Sequence, residues 1–202
     1  MHAPSDQFGA KPAVLRCSRC GKYVDWEEAQ VQIVCACRPR IELPPVMVRE
    51  ATDTDRAAAR ELFERDYGRT KIVAFGEVMD IDQMPALVAI MYKDPSGALA
   101  YRQHGNALHI VALATDPMWQ RSGVGSYLLA EAELIARRLR LERIVVATTN
   151  DNLPALYFYQ RRGYRLTALV QDGVVAHTHS QQAGFAGIAV RDEIRLEKRI
   201  GS

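Results

Sequence analysis

The sequence lacks a charge excess, a long apolar run and any cysteine beyond residue 37. Its formal net charge is only +2 over 202 residues, so charge alone points to no nucleic acid, anionic membrane or acidic partner. No apolar run approaches the roughly 20 residues that span a bilayer, and the opening MHAPSDQFGAKPAVLR lacks the apolar core of a signal peptide. We therefore expect a cytoplasmic globular protein with no membrane partner.

All four cysteines lie in one N-terminal window, CSRCGKYVDWEEAQVQIVCAC. The two residues between Cys17 and Cys20 let a tight turn aim both sulfurs at one ion, and four thiolates close a tetrahedral Zn²⁺ shell. The pattern resembles a zinc ribbon, although its second pair, Cys35 and Cys37, is CxC rather than CxxC. We expect these four residues to bind a structural zinc ion. A dithiol redox couple or unliganded thiols are the alternatives.

A proline-rich segment, RPRIELPPV, follows the cysteines at residues 38–46. Proline breaks both helices and central strands, so this segment is predicted to be a linker. It divides the chain into a zinc-ribbon-like module with its linker, residues 1–44, and a main domain, residues 45–202. The basic residues around the cysteines suggest nucleic-acid binding only weakly, because a few charges on a small module are commonly solvation.

The main domain begins with an alternating strand, VMVREA, and a helix that Thr52 or Asp53 caps and Gly68 ends. The segment ALVAIMYKDPSGALAYRQHGNALHIVALAT predicts three antiparallel strands, with turns at residues 94–97 and 105–106.

A helix follows from about Ser126 to Leu141. Four residues form its apolar stripe: Leu128, Ala132, Ile135 and Leu139. RIVVATT predicts a strand, NLPALYFYQRRGY a second helix, and YRLTALV and VRDEIRLEKRI further strands. These elements predict an α/β (α+β) fold with a mixed, mostly antiparallel sheet flanked by helices.

Two motifs in this order resemble the GNAT N-acyltransferase superfamily over roughly residues 46–200. QRSGVG, Gln120 to Gly125, matches the family's Q/R-x-x-G-x-G/A turn, and NLPALYFYQRRGY matches its N-x-x-A-x-x-F-Y-x-x-x-G-F/Y stretch. The resemblance implies the GNAT fold and an acetyl-CoA-dependent N-acetyltransferase. A Rossmann fold is disfavoured because GxGxxG is absent and hairpins precede the turn.

The glycine turn is suited to holding an anion. Gly123 and Gly125 carry no side chains where a backbone must approach a pyrophosphate, and helix N-terminal amides direct positive charge towards it. The alternative is a strand-to-helix turn that merely needs flexible residues. By resemblance, the coenzyme contacts are Leu113, Ala114, Thr115, Gln120, Arg121, Ser122, Gly123, Val124, Gly125, Ser126, Asn152 and Tyr159. Capping of the following helix is an equally good explanation of Asn152.

Acyl transfer needs a neutral amine and a proton for the departing thiolate. By resemblance Tyr159 is the general acid, with a buried aromatic as its alternative. Counting eleven residues back from Gln120 gives His109 at the position where the family often carries a Glu base. His109 shares a strand face with Val111 and Leu113, so a core-edge histidine is its alternative. Glu77 and Asp80, in an irregular stretch before the first hairpin, are runner-up bases or amine-binding carboxylates.

The expected reaction moves an acetyl or short acyl group from acetyl-CoA to a primary amine of a small molecule or a protein. The alternative is a non-catalytic acyl-CoA sensor or adaptor in which the zinc-ribbon-like module contacts a protein or nucleic acid and His109 marks the lost base. His177 and His179 are expected to be ordinary loop histidines, and Arg161 and Arg162 a solvated helix end. A nucleic-acid partner is not expected, and a homodimer is left open.

Overall fold

The computed structural model of the chain describes residues 15–16, 23–24, 45–120, 122–178 and 182–201. The chain divides into two units, Met1–Leu43 and Pro44–Ser202. In the first unit, strands β1 (Leu15–Arg16) and β2 (Tyr23–Val24) form an antiparallel ladder. The four cysteines lie outside the described residues, so the zinc-ribbon-like module and its domain boundary stay predictions.

The second unit contains both strands and helices. Its strands are β3 (Met47–Glu50), β4 (Lys71–Ala74), β5 (Glu77–Asp80), β6 (Ala86–Met91), β7 (Asp94–His104), β8 (Ala107–Thr115), β9 (Arg143–Thr149), β10 (Arg165–Val170), β11 (Gln182–Ala183), β12 (Ala189–Val190) and β13 (Glu193–Arg199). Its helices are α1 (Arg56–Tyr67), α2 (Val124–Arg138), α3 (Leu153–Gln160) and α4 (Val175–Thr178). In the described part of the chain, no helix is long and apolar enough to cross a membrane.

The central sheet has seven strands in the order β10-β13-β9-β8-β7-β6-β3. The β8–β9 pair is parallel and the other neighbouring pairs are antiparallel. One core packs α2 and α3 on one face of the sheet, and a second core packs α1 and the β4–β5 hairpin on the other. The predicted mixed, mostly antiparallel sheet flanked by helices is confirmed.

The turn between β6 and β7 is not where the sequence predicts it. The predicted turn at residues 94–97 lies inside β7, and the chain reverses instead at Tyr92, whose φ is 58°. Gly97 has a packing role, because a Cβ there would stand 2.6 Å from Cγ1 of Val124 at the start of α2. Gly97 is therefore required by close packing rather than by a turn.

Helix α2 begins two residues earlier than predicted and ends at Arg138. Leu128, Ala132 and Ile135 are buried as the apolar stripe requires, but Leu139 is 49% exposed. The chain leaves the helix at Leu139, and Arg140 takes a positive φ of 55°. The predicted stripe is therefore one residue too long.

The Asp55 carboxylate closes the short 3-10 turn, Asp53–Asp55, that leads into helix α1. The Asp55 side chain accepts hydrogen bonds from the Thr52 amide at 2.7 Å and the Thr52 hydroxyl at 2.6 Å. The Arg49 guanidinium, on β3, donates to both Asp55 oxygens at 2.5 and 3.0 Å. Gly68 ends the helix as predicted, with a φ of 71°. The cap thus ties the helix to an edge strand of the sheet.

Replacing Asp55 with alanine should lower the free energy of unfolding at pH 7 by about 0.5–2 kcal/mol, the range for a lost helix cap. The bonds from Arg49 and Thr52 hold the pKa of Asp55 well below its ordinary value of 3.8. When folding lowers the pKa of a carboxylate, the carboxylate stabilises the folded state at pH values above its pKa in the unfolded state. This stabilisation is lost as the pH falls towards the pKa in the folded state.

Urea unfolding from pH 7 to pH 3 measures this effect. We expect a constant difference between wild type and Asp55→Ala down to about pH 5 and a shrinking one below about pH 4. Asp53→Ala is the matched control, because the Asp53 side chain is fully exposed. A difference that persists undiminished at pH 3 contradicts the ionic cap.

Candidate active site

Strands β8 and β9 separate halfway along their length. Their parallel pairing runs from Ala107 opposite Arg143 to Ile110 opposite Val146 and then stops. Strand β9 continues to Thr149 paired with β13, while β8 continues to Thr115 paired with β7. The facing edges of the two strands are therefore unpaired beyond this point, and a cavity of about 1180 Å³ extends from the gap between them.

The glycine turn and α3 form part of the cavity wall. Gly123 begins α2 with a φ of 99°, a conformation that strongly favours glycine. Gly125 faces α3 closely, because a Cβ there would lie 3.3 Å from the Phe158 ring. The first backbone amides of a helix lack intrahelical acceptors. The turn therefore places a helix N-terminus at the cavity, and Gly125 has a packing role beside the predicted backbone-approach role.

Arg162 supplies a positive charge to this wall. Its guanidinium lies 3.7 Å from the centroid of the Phe158 ring, donates to the Phe158 carbonyl at 2.8 Å and bonds the Ser126 hydroxyl. Burial lowers the pKa of Arg162 from its usual range, but an arginine remains charged at pH 7. The predicted solvated helix end is therefore wrong for Arg162, which is half-buried and lines the cavity. Stacking on an aromatic and bonding across to α2 could not be read from the sequence.

The unpaired edge of β8 is covered by the last turn of α1. The Tyr67 hydroxyl accepts a hydrogen bond from the Leu113 amide at 3.0 Å and donates one to the Leu113 carbonyl at 3.2 Å. Burial raises the pKa of Tyr67 to about 12. Burial also raises the pKa of Asp66, against a hydrogen bond from the Thr115 amide that lowers it. The Tyr67 side chain thus satisfies the backbone amide and carbonyl of Leu113, which face the gap.

Tyr159 is buried in the cavity wall on α3, with 7% of its surface exposed. Its ring packs against the rings of Phe158 and Tyr164 at centroid distances of 5.1 and 5.6 Å. Burial raises the pKa of Tyr159 well above its usual value. The phenol therefore stays protonated at neutral pH and can donate a hydrogen bond into the cavity.

Asn152 caps α3 through its side chain, which accepts a hydrogen bond from the Ala155 amide at 3.1 Å. The capping role that the sequence allows is thus present, and the residue lines the cavity as well.

Most of the predicted coenzyme contacts line the same cavity. Those that line the cavity are Leu113, Thr115, Gln120, Gly123, Val124, Gly125, Ser126, Asn152 and Tyr159. Ala114 is buried in the core on the α1 face. Ser122 instead donates through its hydroxyl to the Trp119 carbonyl at 2.5 Å. Arg121 and His179 lie outside the described residues, as does the side chain of His177.

His109 does not line this cavity. Its ring stacks on Phe75 at 4.1 Å and lies 5.1 Å from the His104 ring. Burial, followed by the positive charges of neighbouring residues, lowers the pKa of His109 to about 4. The imidazole is therefore neutral at pH 7 but a weak base, and no described residue bonds its buried Nδ1.

A bulge explains why His109 and Leu113 do not share a face. Ala100 pairs with Ala112 and Tyr101 pairs with Ile110, so Val111 is an extra residue in β8. Val111 and Ala112 both pack in the core on the α1 face, whereas Leu113 packs against the core on the α2 face. The predicted common face is correct for His109 and Val111 but wrong for Leu113.

The runner-up carboxylates are also outside the cavity wall. Glu77 begins β5, and its two oxygens accept from the Arg102 guanidinium at 3.0 and 3.2 Å. This pairing lowers the pKa of Glu77. Asp80 ends β5, so the stretch that the sequence leaves irregular is a hairpin. Glu77 is thus engaged with Arg102 rather than directed at the gap.

Two buried carboxylates that the sequence analysis missed do line the cavity, Asp151 and Glu193. Asp151 accepts hydrogen bonds from the Thr149 hydroxyl and from the Phe185 amide at 3.0 Å. Glu193 accepts from Nε of Arg195 at 2.6 Å. Asp151 is an acid just beyond the apolar strand β9, which is the one signal in the sequence that could have marked it. Glu193 begins a strand rich in charged residues, and no local pattern marks it.

Comparison with known proteins agrees with this geometry. The model of the acetyltransferase (GNAT) family matches residues 54–164. The uncharacterized protein YxbD of Bacillus subtilis (strain 168) is 30% identical over 145 residues, which cover 68% of this chain and 89% of YxbD.

Solved structures show the same fold. The IAA acetyltransferase from Bacillus cereus ATCC 14579 is similar with a TM-score of 0.63 and 21% identity, covering 77% of this chain and 99% of that one. A Bacillus subtilis acetyltransferase in complex with CoA is similar with a TM-score of 0.59 and 20% identity, covering 79% and 99%.

Proposed function

Because the chain belongs to the acetyltransferase (GNAT) family, we propose that it is an acetyl-CoA-dependent N-acyltransferase. It moves an acetyl or short acyl group to a primary amine of a small molecule or a protein. The observation that carries the proposal is the gap between β8 and β9, where the Leu113 amide and carbonyl face a cavity that also reaches the N-terminus of α2. The likeness to a structure that contains CoA supports it.

The pyrophosphate of the coenzyme fits the N-terminus of α2. Backbone amides at a helix N-terminus attract phosphate oxygens, and Gly123 and Gly125 keep side chains away from them. Arg162 adds a fixed cation that is already oriented by the Phe158 ring and the Ser126 hydroxyl. Arg162 thus adds a positive charge in addition to the predicted coenzyme contact Arg121, which lies outside the described residues.

The pantetheine arm fits the unpaired edge of β8. Each amide of the arm offers one N–H and one carbonyl, which is the pair of groups that a strand edge exchanges. The Tyr67 hydroxyl now makes both bonds to Leu113, as a donor and as an acceptor at once. An arm bound along β8 replaces these two bonds, so Tyr67 must move away from Leu113 when the coenzyme binds.

Tyr159 assists departure of the sulfur. Its raised pKa makes it a weak acid, weaker than an ordinary thiol, whose pKa is about 8.5. It therefore acts by donating a hydrogen bond to the sulfur and by passing on a proton that it receives from the acceptor nitrogen. His109 has no part in this scheme, because it lies outside the cavity wall and is a weak base.

Thiol release from acetyl-CoA tests the proposal, with spermidine, lysine, kanamycin and a lysine peptide as acceptors. We expect the wild-type chain to release CoA with at least one of them. Tyr159→Phe should lower kcat on the order of 100-fold, as for a lost proton donor, with the KM for acetyl-CoA nearly unchanged. Tyr92→Phe is the control, because Tyr92 is 70% exposed on the β6–β7 turn.

Two outcomes contradict this assignment. If the wild-type chain binds CoA tightly but releases no thiol with any acceptor, the protein is a non-catalytic acyl-CoA sensor. If Tyr159→Phe raises the KM for acetyl-CoA at constant kcat, Tyr159 shapes the cavity without assisting the chemistry.

The N-terminal unit is proposed to hold one structural Zn²⁺ through Cys17, Cys20, Cys35 and Cys37. The β1–β2 ladder supports this, because pairing of Arg16 with Tyr23 makes the two strands flank the segment that carries the CxxC pair. Ligands on such a segment are close in sequence, as structural zinc sites require.

Elemental analysis of the purified full-length chain tests the zinc site. We expect about one zinc per chain, and loss of most of that metal in the Cys17→Ser, Cys20→Ser double variant, since four thiolates complete the shell. Ser18→Ala is the matched control. A metal-free wild-type chain with titratable thiols contradicts the proposal.

A further inference from the structure

Glu193 is a buried carboxylate with half of its hydrogen-bonding capacity unused. It is 3% exposed, and its Oε1 accepts from Nε of Arg195 at 2.6 Å. Its Oε2 is buried without a hydrogen-bond partner among the residues that the structure describes. A buried ionised oxygen with no donor is costly. Such an oxygen is open to a donor beyond those that the described residues supply.

The backbone fixes Glu193 at the mouth of the gap. Glu193 is the first residue of β13 and pairs with Thr149, the last residue of β9. It lines the same cavity as Leu113 and Tyr159. The carboxylate therefore belongs to the wall on the β9 side of the gap, while the groups proposed to hold the pantetheine arm lie on the β8 side.

Glu193 reaches the cavity from the face opposite α2. Arg195, two residues along β13, shares its face. The Arg195 guanidinium lies 5.7 Å from the centroid of Phe75, which is part of the core on the α1 face. The helix N-terminus proposed for the pyrophosphate lies on the other face. The coenzyme and a group bound by Glu193 thus approach the gap from different sides of the sheet.

The other acidic groups at or near the cavity are engaged or exposed. Asp151 accepts from Thr149 and from the Phe185 amide. Asp66 is exposed. Glu77 is paired with Arg102. Glu193 therefore offers a carboxylate oxygen that the described residues leave open.

We infer that Glu193 binds the acceptor as an alkyl ammonium ion and acts as the base that deprotonates it. This inference rests on the proposed acyl transfer and names its acceptor class. An alkyl amine has a pKa near 10, like lysine, so it reaches the site protonated at pH 7. The ammonium is a strong hydrogen-bond donor for Oε2, because Oε1 is already held by Arg195.

The proton balance uses Glu193 and Tyr159 together. Glu193 Oε2 takes one proton from the ammonium, and the neutral nitrogen then forms a bond to the thioester carbonyl carbon. Tyr159 carries the second nitrogen proton to the sulfur as the carbon–sulfur bond breaks. Glu193 finally returns its proton to water. One ammonium and one thioester thus give one amide, one thiol and one released proton.

The test compares acceptors that do and do not need a base. Spermidine and n-butylamine are protonated at pH 7, whereas hydroxylamine is a neutral nucleophile. With Glu193→Gln we expect kcat for the two alkyl amines to fall about 100-fold or more. The rate with hydroxylamine should change less than about fivefold, and the affinity for CoA should be unchanged.

Glu197→Gln is the matched control, because Glu197 lies on the same strand and pairs with Arg143 at 3.6 Å. It should leave all three rates near those of the wild type. Glu193→Asp keeps the carboxylate and should recover part of the alkyl-amine rate. It also replaces Glu193→Gln in the comparison if the amide variant fails to fold.

The outcomes separate this inference from the proposed function. Wild-type thiol release with an alkyl amine that persists in Glu193→Gln overturns the role of Glu193 and leaves the acyltransferase intact. An equal loss with alkyl amines and hydroxylamine shows a structural role and also overturns it. A wild-type chain that releases thiol with none of the three nucleophiles, and with none of the acceptors named for the proposed function, overturns both proposals.

Discussion

The site depends on the loss of pairing between β8 and β9 beyond Ile110 and Val146. A parallel pair that continued would satisfy its own backbone groups and leave no gap. Each strand instead follows its other neighbour, and the Leu113 amide and carbonyl are left facing the cavity. Buried backbone groups need partners, so the Tyr67 hydroxyl or a ligand must supply them.

The packing of α2 against α3 fixes the remaining wall of the site. Gly125 admits the Phe158 ring, the ring supports the Arg162 guanidinium, and Arg162 bonds Ser126 at the start of α2. One set of contacts thus positions both the helix N-terminus and the charge beside it. Tyr159 follows Phe158 on α3, so its depth in the wall depends on the same packing.

Local patterns predicted much of this fold and part of the site. Asn152 caps α3 and Gly68 ends α1 as expected, because caps depend on adjacent residues. Arg162 was wrongly predicted to be solvated, and Glu193 was not predicted as a site residue. The surroundings of both residues come partly from strands and helices far away in sequence. The misplaced turn has the same origin: Gly97 serves contact with α2, which no local pattern records.

If coenzyme A binds along β8 as proposed, its pantetheine arm takes the place of the Tyr67 hydroxyl at Leu113. A crystal structure of the full chain with CoA gives the distances from the Leu113 nitrogen and oxygen to the ligand and to the Tyr67 hydroxyl. We predict hydrogen bonds from both Leu113 groups to the pantetheine arm and a Tyr67 hydroxyl that has left them. A bound coenzyme with both Tyr67–Leu113 hydrogen bonds still in place would contradict it.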